Sequence, residues 1–235
     1  MRRLQLVFVF LASIALPFGV ARSQPAERAP DTMAARVLAC ASCHGAEGEG
    51  TSDVYFPRLA GKPAGYLYNQ LVAFRDGRRK YPPMNYLLDF LPDPYLKQMA
   101  EHFASLRPPF PPPAVPTASN EILARGESLV KNGDPQRGIP PCAACHGPSL
   151  GGMEPGIPGL LGLRASYVSA QLGSWRYGTR TAASPDCMQI VAGLLTEDDV
   201  KAVAAFLSER PAPSDPSFAP RGSLPMPLPC GSQPN

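Results

Sequence analysis

Residues 40–45 read Cys-Ala-Ser-Cys-His-Gly, and residues 142–147 read Cys-Ala-Ala-Cys-His-Gly. The residues downstream of the two hexapeptides match as well. Pro57-Arg-Leu-Ala-Gly61 is answered by Pro158-Gly-Leu-Leu-Gly162. Tyr66, Gln70, Leu71, Phe74, Arg75 and Gly77 are answered by Tyr167, Gln171, Leu172, Trp175, Arg176 and Gly178, an offset of 101. Met84 pairs with Met188, and Leu91 with Leu195, at 104. Register held over so many positions marks a duplication, so the 235 residues should form two similar small domains rather than one large core.

Between the copies lies Arg107-Pro-Pro-Phe-Pro-Pro-Pro-Ala-Val-Pro116. Proline at this density cannot continue a helix, and it favours an extended, semi-rigid spacer. The expected organisation is a first domain over 22–107, a linker over 108–116, a second domain over 117–210 and a proline-rich, irregular tail over 211–235. Ahead of them, Arg2 and Arg3 followed by the apolar run Leu4 to Leu16 read as a secretory signal, with cleavage placed after Ala21. That predicts export to the periplasm, and no later stretch is long and apolar enough to span a bilayer.

Each half reads as helical. Asp31 is placed to cap a short helix running into Cys40. A second helix is expected over Gly65 to Asp76, stopped by Gly77. Leu96, Met99, Ala100 and Phe103 share one apolar helix face. In the second half Ser119 starts a helix reaching about Lys131, and Thr196-Glu-Asp-Asp199 has the form of a capping box. Neither half shows a convincing alternating strand, so the expected fold class is all-α.

The formal charge of +3 falls to +1 without residues 1–21, a balance that gives no reason to expect nucleic acid as a partner. The chemistry lies in the duplicated pentapeptide. Cys-x-x-Cys-His is the pattern of covalent haem attachment. Two thiols three positions apart reach the two vinyl groups of one porphyrin, and the next histidine is held under its iron. Cys40, Cys43 and His44 form one set; Cys142, Cys145 and His146 form the other. Structural zinc would need two such cysteine pairs converging on one metal, and a thioredoxin-like pair would need a βαβ context. The expected cofactors are therefore two haem c groups. A sixth iron ligand is expected from Met84 and Met188, each about forty-five residues beyond its first cysteine, on a segment between helices. A thioether is soft and favours ferrous iron.

These motifs resemble the cytochrome c4 family, in which two class I cytochrome c domains stand in tandem. The resemblance runs from about residue 31 to 209. It implies a mostly α fold with the domains about a pseudo-two-fold axis, and electron delivery to a terminal oxidase or similar acceptor. It also implies that the carbonyls of Pro57 and Pro158 accept the Nδ1 protons of His44 and His146, which orients each imidazole.

Two cysteines are left over. Cys187, beside Met188, and Cys230 could form a disulfide, Cys187 could supply a thiolate to the iron, or both could stay free. Arg75, Arg78, Arg79 and Lys80 form a basic cluster before Met84, either a solvated turn or a docking patch for an acidic partner. The leading functional reading is a monomeric carrier with transient electron-transfer partners. Beside it stand a di-haem oxidoreductase acting on a small sulfur compound of the thiosulfate type, and a cytochrome subunit of a membrane dehydrogenase or oxidase complex.

Overall fold

The computed structural model describes residues 30–51, 55–212, 215 and 217–233. The expected signal segment lies outside the described residues. In the first half, α1 (Met33–Arg36) and α2 (Leu38–His44) are followed by α3 (Ala64–Arg75), α4 (Pro82–Leu88) and α5 (Asp93–Ser105). The second half repeats the plan with α6 (Asn120–Lys131), α7 (Cys142–His146), α8 (Ala165–Arg176), α9 (Cys187–Leu194) and α10 (Glu197–Ser208). It adds one short antiparallel pair, β1 (Gly152–Met153) and β2 (Ile157–Pro158). The two-domain, mostly helical architecture expected from the duplication is present.

The apolar spacing read from the sequence builds the cores. Leu96, Met99, Ala100 and Phe103 of α5 are buried together with Leu67 and Phe74 of α3. Leu129 and Val130 of α6 pack with Val203, Phe206 and Leu207 of α10. Such burial is the main force holding each half together. Ser119 caps α6 by accepting from the Ile122 amide. At α10 Thr196 and Asp199 cap each other's backbone amides, as the sequence predicts.

Three local expectations are corrected. Thr32, not Asp31, caps the first turn, accepting from the Ala35 amide at 3.2 Å, while Asp31 pairs with Arg36. The helix expected to run into Cys40 is split at Val37 into α1 and α2. The methionine-bearing segments are helical: Pro82 opens α4 with its preset φ, and Asp186 caps α9 by accepting from the Gln189 amide at 3.1 Å. The proline-rich linker joins the halves as expected, exposed over residues 111–116 and held by a few contacts near its start and at Ala114. Arg58, 5% exposed, donates to the carbonyls of Pro108 and Pro109 and lies over the Phe110 ring, and the Ala114 amide donates to Ser208 O.

The halves meet along a seam with two-fold character. The Lys80 amide donates to Thr179 O and the Thr181 amide to Arg78 O, while Arg79 and Arg180 face each other as an antiparallel bridge. The tail lies against the same seam. Gln233 donates from Nε2 to Glu154 O and accepts from the Gly156 amide, and Ser232 O accepts from Asn69.

Candidate functional site

In each half a short helix carries the two thiols and the histidine, and a glycine ends it. Gly45 has φ 87° and ψ 156°; Gly147 has φ 83° and ψ 154°. This region is open only to glycine. The chain leaves the histidine at the same sharp angle in both halves and returns over it with the segment holding Pro57 or Pro158.

That return orients the imidazoles. His44 Nδ1 donates to Pro57 O at 2.9 Å, and His146 Nδ1 donates to Pro158 O at 2.7 Å. With Nδ1 occupied by the proton, Nε2 keeps its lone pair for a metal. Both rings are buried, at 7% exposure. Burial pushes each imidazole below its usual range; the bond to the proline carbonyl works against this, and a nearby cation, Arg79 for His44 and Lys62 for His146, adds to it. Both therefore stand neutral, the form that ligates.

The four cysteines of the duplicated motif are unbridged. Burial raises the thiols of Cys40 and Cys145, and it pushes Cys142 up to about 11. Thiols held protonated are poor nucleophiles and poor thiolate ligands. Among the described residues no group of three or more His, Cys, Asp or Glu could hold a metal ion.

In the second half, Cys142, Cys145, His146 and Met188 line one cavity. Its walls include Leu160, Val168, Leu172, Leu195 and Val203, an apolar lining. Polar donors share its lining. Trp175 Nε1 is buried on the wall without a hydrogen-bond partner among the described residues, so an acceptor on the cavity's occupant would satisfy it. Lys62, Tyr66 and Gln70 of the first half also line this cavity, beside Tyr167, Gln171 and Arg180. Burial works to raise the Tyr66 hydroxyl, but Arg180, Arg79 and Lys62 outweigh it and bring the group down to about 8. Apolar walls, two thiols, a neutral histidine, a thioether and donors lacking an anion are what a haem with two propionates requires. The residues present fit that group. In the first half Cys40 and Met84 pack against the core formed by Leu67, Phe74, Leu88 and Leu96. Met99 and Met153 are buried core residues, at 5% and 1% exposure.

Cys187 and Cys230 form a disulfide, with the Cα atoms 5.0 Å apart. The alternatives of a Cys187 thiolate at the iron and of free thiols are thereby closed. The basic cluster does not form one surface. Arg75 pairs with Asp76 and Asp93, and Arg78 with Asp76. Arg79 turns into the seam, where it bonds Gln70, Gln171 and Tyr167. Lys80 alone of the four remains an exposed side chain without a carboxylate partner among the described residues. Arg180, Lys62 and Trp175 were not singled out as site residues by sequence reasoning. The signal for Arg180 was present, since Arg79 and Arg180 stand at the same offset of 101 as the tyrosines and glutamines they bond.

The model of the Cytochrome c family matches residues 33–101. A thiosulfate dehydrogenase electron acceptor from Thiomonas intermedia is 36% identical over 186 residues, covering 78% of this chain and 85% of the relative. A cytochrome c4 from Pseudomonas aeruginosa is 36% identical over 175 residues, covering 74% and 84%. Among solved structures, reduced cytochrome c4 from Pseudomonas stutzeri superposes with a TM-score of 0.65 at 31% identity, over 75% of this chain and 96% of that one. A thiosulfate dehydrogenase from Marichromatium purpuratum gives a TM-score of 0.66 at 35% identity over 73% of this chain, which spans only 36% of that longer one. Together with the duplicated attachment motif, these likenesses show that the chain belongs to the cytochrome c4 family of di-haem electron carriers and binds haem c covalently.

Proposed function

We propose that the protein is a periplasmic single-electron carrier that takes electrons from an oxidoreductase of the thiosulfate dehydrogenase type and passes them towards a terminal oxidase or reductase. Cys40 and Cys43 would tether one haem, with His44 and Met84 to hold its iron; Cys142, Cys145, His146 and Met188 would do the same for the other. When bound, each haem supplies a one-electron iron couple.

The protein's own contribution is to hold that couple still and dry. Pro57 and Pro158 fix the tautomer and angle of the histidines. The thioethers of Met84 and Met188 favour the reduced state. The apolar walls keep water out, which limits reorganisation when the charge changes. Pro82 and Asp186 start the short helices that carry the methionines, so the sixth ligand comes from an ordered turn.

The observation that carries the choice of carrier over enzyme is the Cys187–Cys230 disulfide. It ties up the thiol beside Met188, which would otherwise be available as a nucleophile or as a replacement for the methionine. The donor is inferred from the two relatives that bear the name of thiosulfate dehydrogenase electron acceptor, at 36% and 39% identity.

The test is to mix the oxidised holoprotein with thiosulfate, with and without catalytic amounts of a thiosulfate dehydrogenase. Both haems should reduce only when the enzyme is present. Reduction by thiosulfate alone would assign the oxidoreductase role to this chain instead. No reduction in either case would remove thiosulfate dehydrogenase as the donor.

A further inference from the structure

Lys62 belongs to the first domain but faces the second. It stands two residues before α3 and lines the cavity that holds Cys145, His146 and Met188. Its position in the repeat is taken in the second half by Leu163, at the offset of 101. The duplication is thus broken at this point from a cation to an apolar residue.

The surroundings of Lys62 are short of anions. Burial pushes its ammonium down; of its charged neighbours only the Tyr66 hydroxyl supports the proton, while Arg58, Arg180 and Arg79 oppose it. No Asp or Glu among the described residues pairs with Lys62, Arg79 or Arg180. Arg180 is buried and Lys62 and Arg79 are half-buried, and drawing such cations together without a counter-charge is costly. The arrangement makes sense where a cofactor brings the negative charge. Arg79 and Arg180 sit across the seam from each other as repeat equivalents, so they act on both redox centres in a similar way. Lys62 has no such equivalent.

We propose that Lys62 is a cross-domain positioning residue for the second redox centre: its ammonium, presented by the first domain, faces the second haem and selectively raises that haem's reduction potential. The inference rests on the ligation proposed above. A positive charge at the cavity wall stabilises the iron after it gains an electron, because the centre is then less positive by one unit. Leu163 offers the first haem no matching charge. The difference biases internal transfer from the first haem towards the second.

The test is potentiometric titration of the holoprotein with dithionite and ferricyanide, with the two haems assigned to their domains by NMR. In Lys62→Leu, the reduced-to-oxidised ratio of the second haem at fixed potential should fall about fivefold, and that of the first should stay within about twofold. Lys62→Gln, which keeps length and polarity, should reproduce the shift; Lys62→Arg, which keeps the charge, should restore the wild-type curve. Unchanged curves in both charge-removing variants, or equal shifts of both haems, would overturn the proposal. Haem content and methionine–iron absorption of the wild type are read in the same samples. Loss of either in the wild type would count against the ligation itself, whereas normal values with unmoved potentials would count against Lys62 alone.

Discussion

Arg79 and Arg180 share the same two acceptors. Gln171 Oε1 accepts from Arg79 Nη2 and from Arg180 Nη1, both at 2.7 Å, while Gln70 Oε1 accepts from Arg79 Nη1 at 3.0 Å and from Arg180 Nη2 at 2.7 Å. Tyr167 and Tyr66 add one hydroxyl acceptor to each guanidinium, and Phe74 and Trp175 lie under them. Every member of this knot has its repeat equivalent in the other half.

Because Arg180 is 3% exposed, losing one shared acceptor strands donors on both sides of the seam. Gln171→Leu should destabilise the holoprotein by about 2–3 kcal/mol in urea unfolding. Arg79→Leu in the same background should add less than its separate effect, because the two side chains lie in one network. Full additivity in that double-mutant cycle would mean that the knot does not act as a unit.

The disulfide closes a long loop, with a sequence separation of 43 between Cys187 and Cys230. Cys230→Ser should cost about 4 kcal/mol on the chain-entropy account. It also releases the tail, where the Gly231 amide donates to Pro185 O. Thermal unfolding and alkylation of the freed Cys187 measure the two effects. An unchanged melting temperature would show that the bridge leaves the stability of the second domain untouched.

Acid should unfold the second domain through Asp199. Burial works to raise this carboxyl, but bonds from Arg137, from the Thr196 amide and from Arg125 outweigh it and hold the group well below the usual carboxylate range. A depressed folded pKa stabilises the native state at pH values above the unfolded pKa of about 3.9, and that stability fades as pH falls further towards the folded value. Asp199→Asn should cost about 3 kcal/mol at pH 7 and flatten the stability profile below about pH 4. Chemical unfolding at pH 7 and pH 3 checks both; an equally steep acid loss in the variant would place the titration elsewhere.

Gly126 lies inside α6, where glycine is unfavourable by about 1 kcal/mol relative to alanine. Its place is explained by α10, since a Cβ there would come within 2.2 Å of Ala202 O. Gly126→Ala should therefore destabilise the second domain by about 2 kcal/mol despite the better propensity. A gain in stability on urea unfolding would show that the two helices can separate without loss.

Much of this molecule is readable from the chain because the duplication shows every signal twice. The apolar faces of α5, α6 and α10, the capping box at Thr196 and the two attachment motifs all depend on neighbours within a few residues, and local spacing reveals them. The turn of Arg79 into the seam depends on how the two halves dock, and its basic neighbours disguised it as a surface residue. The anchoring of the linker's start is hidden for a related reason. Proline content reports extension, but the buried Arg58 that bonds Pro108 and Pro109 is about fifty residues away. Helices α4 and α9 are short, and their apolar periodicity is too brief to separate them from loops.

The most direct test of the central claim is an absorption spectrum of the purified ferric holoprotein, with haem counted per chain and the far-red methionine–iron band quantified. Ligation by Met84 and Met188 predicts two haems and a band scaled for two methionines, with the latter halved in Met188→His. Two haems with half that band in the unaltered protein, or none, would contradict the assignment of Met84 or Met188, and a single haem would contradict the duplicated site.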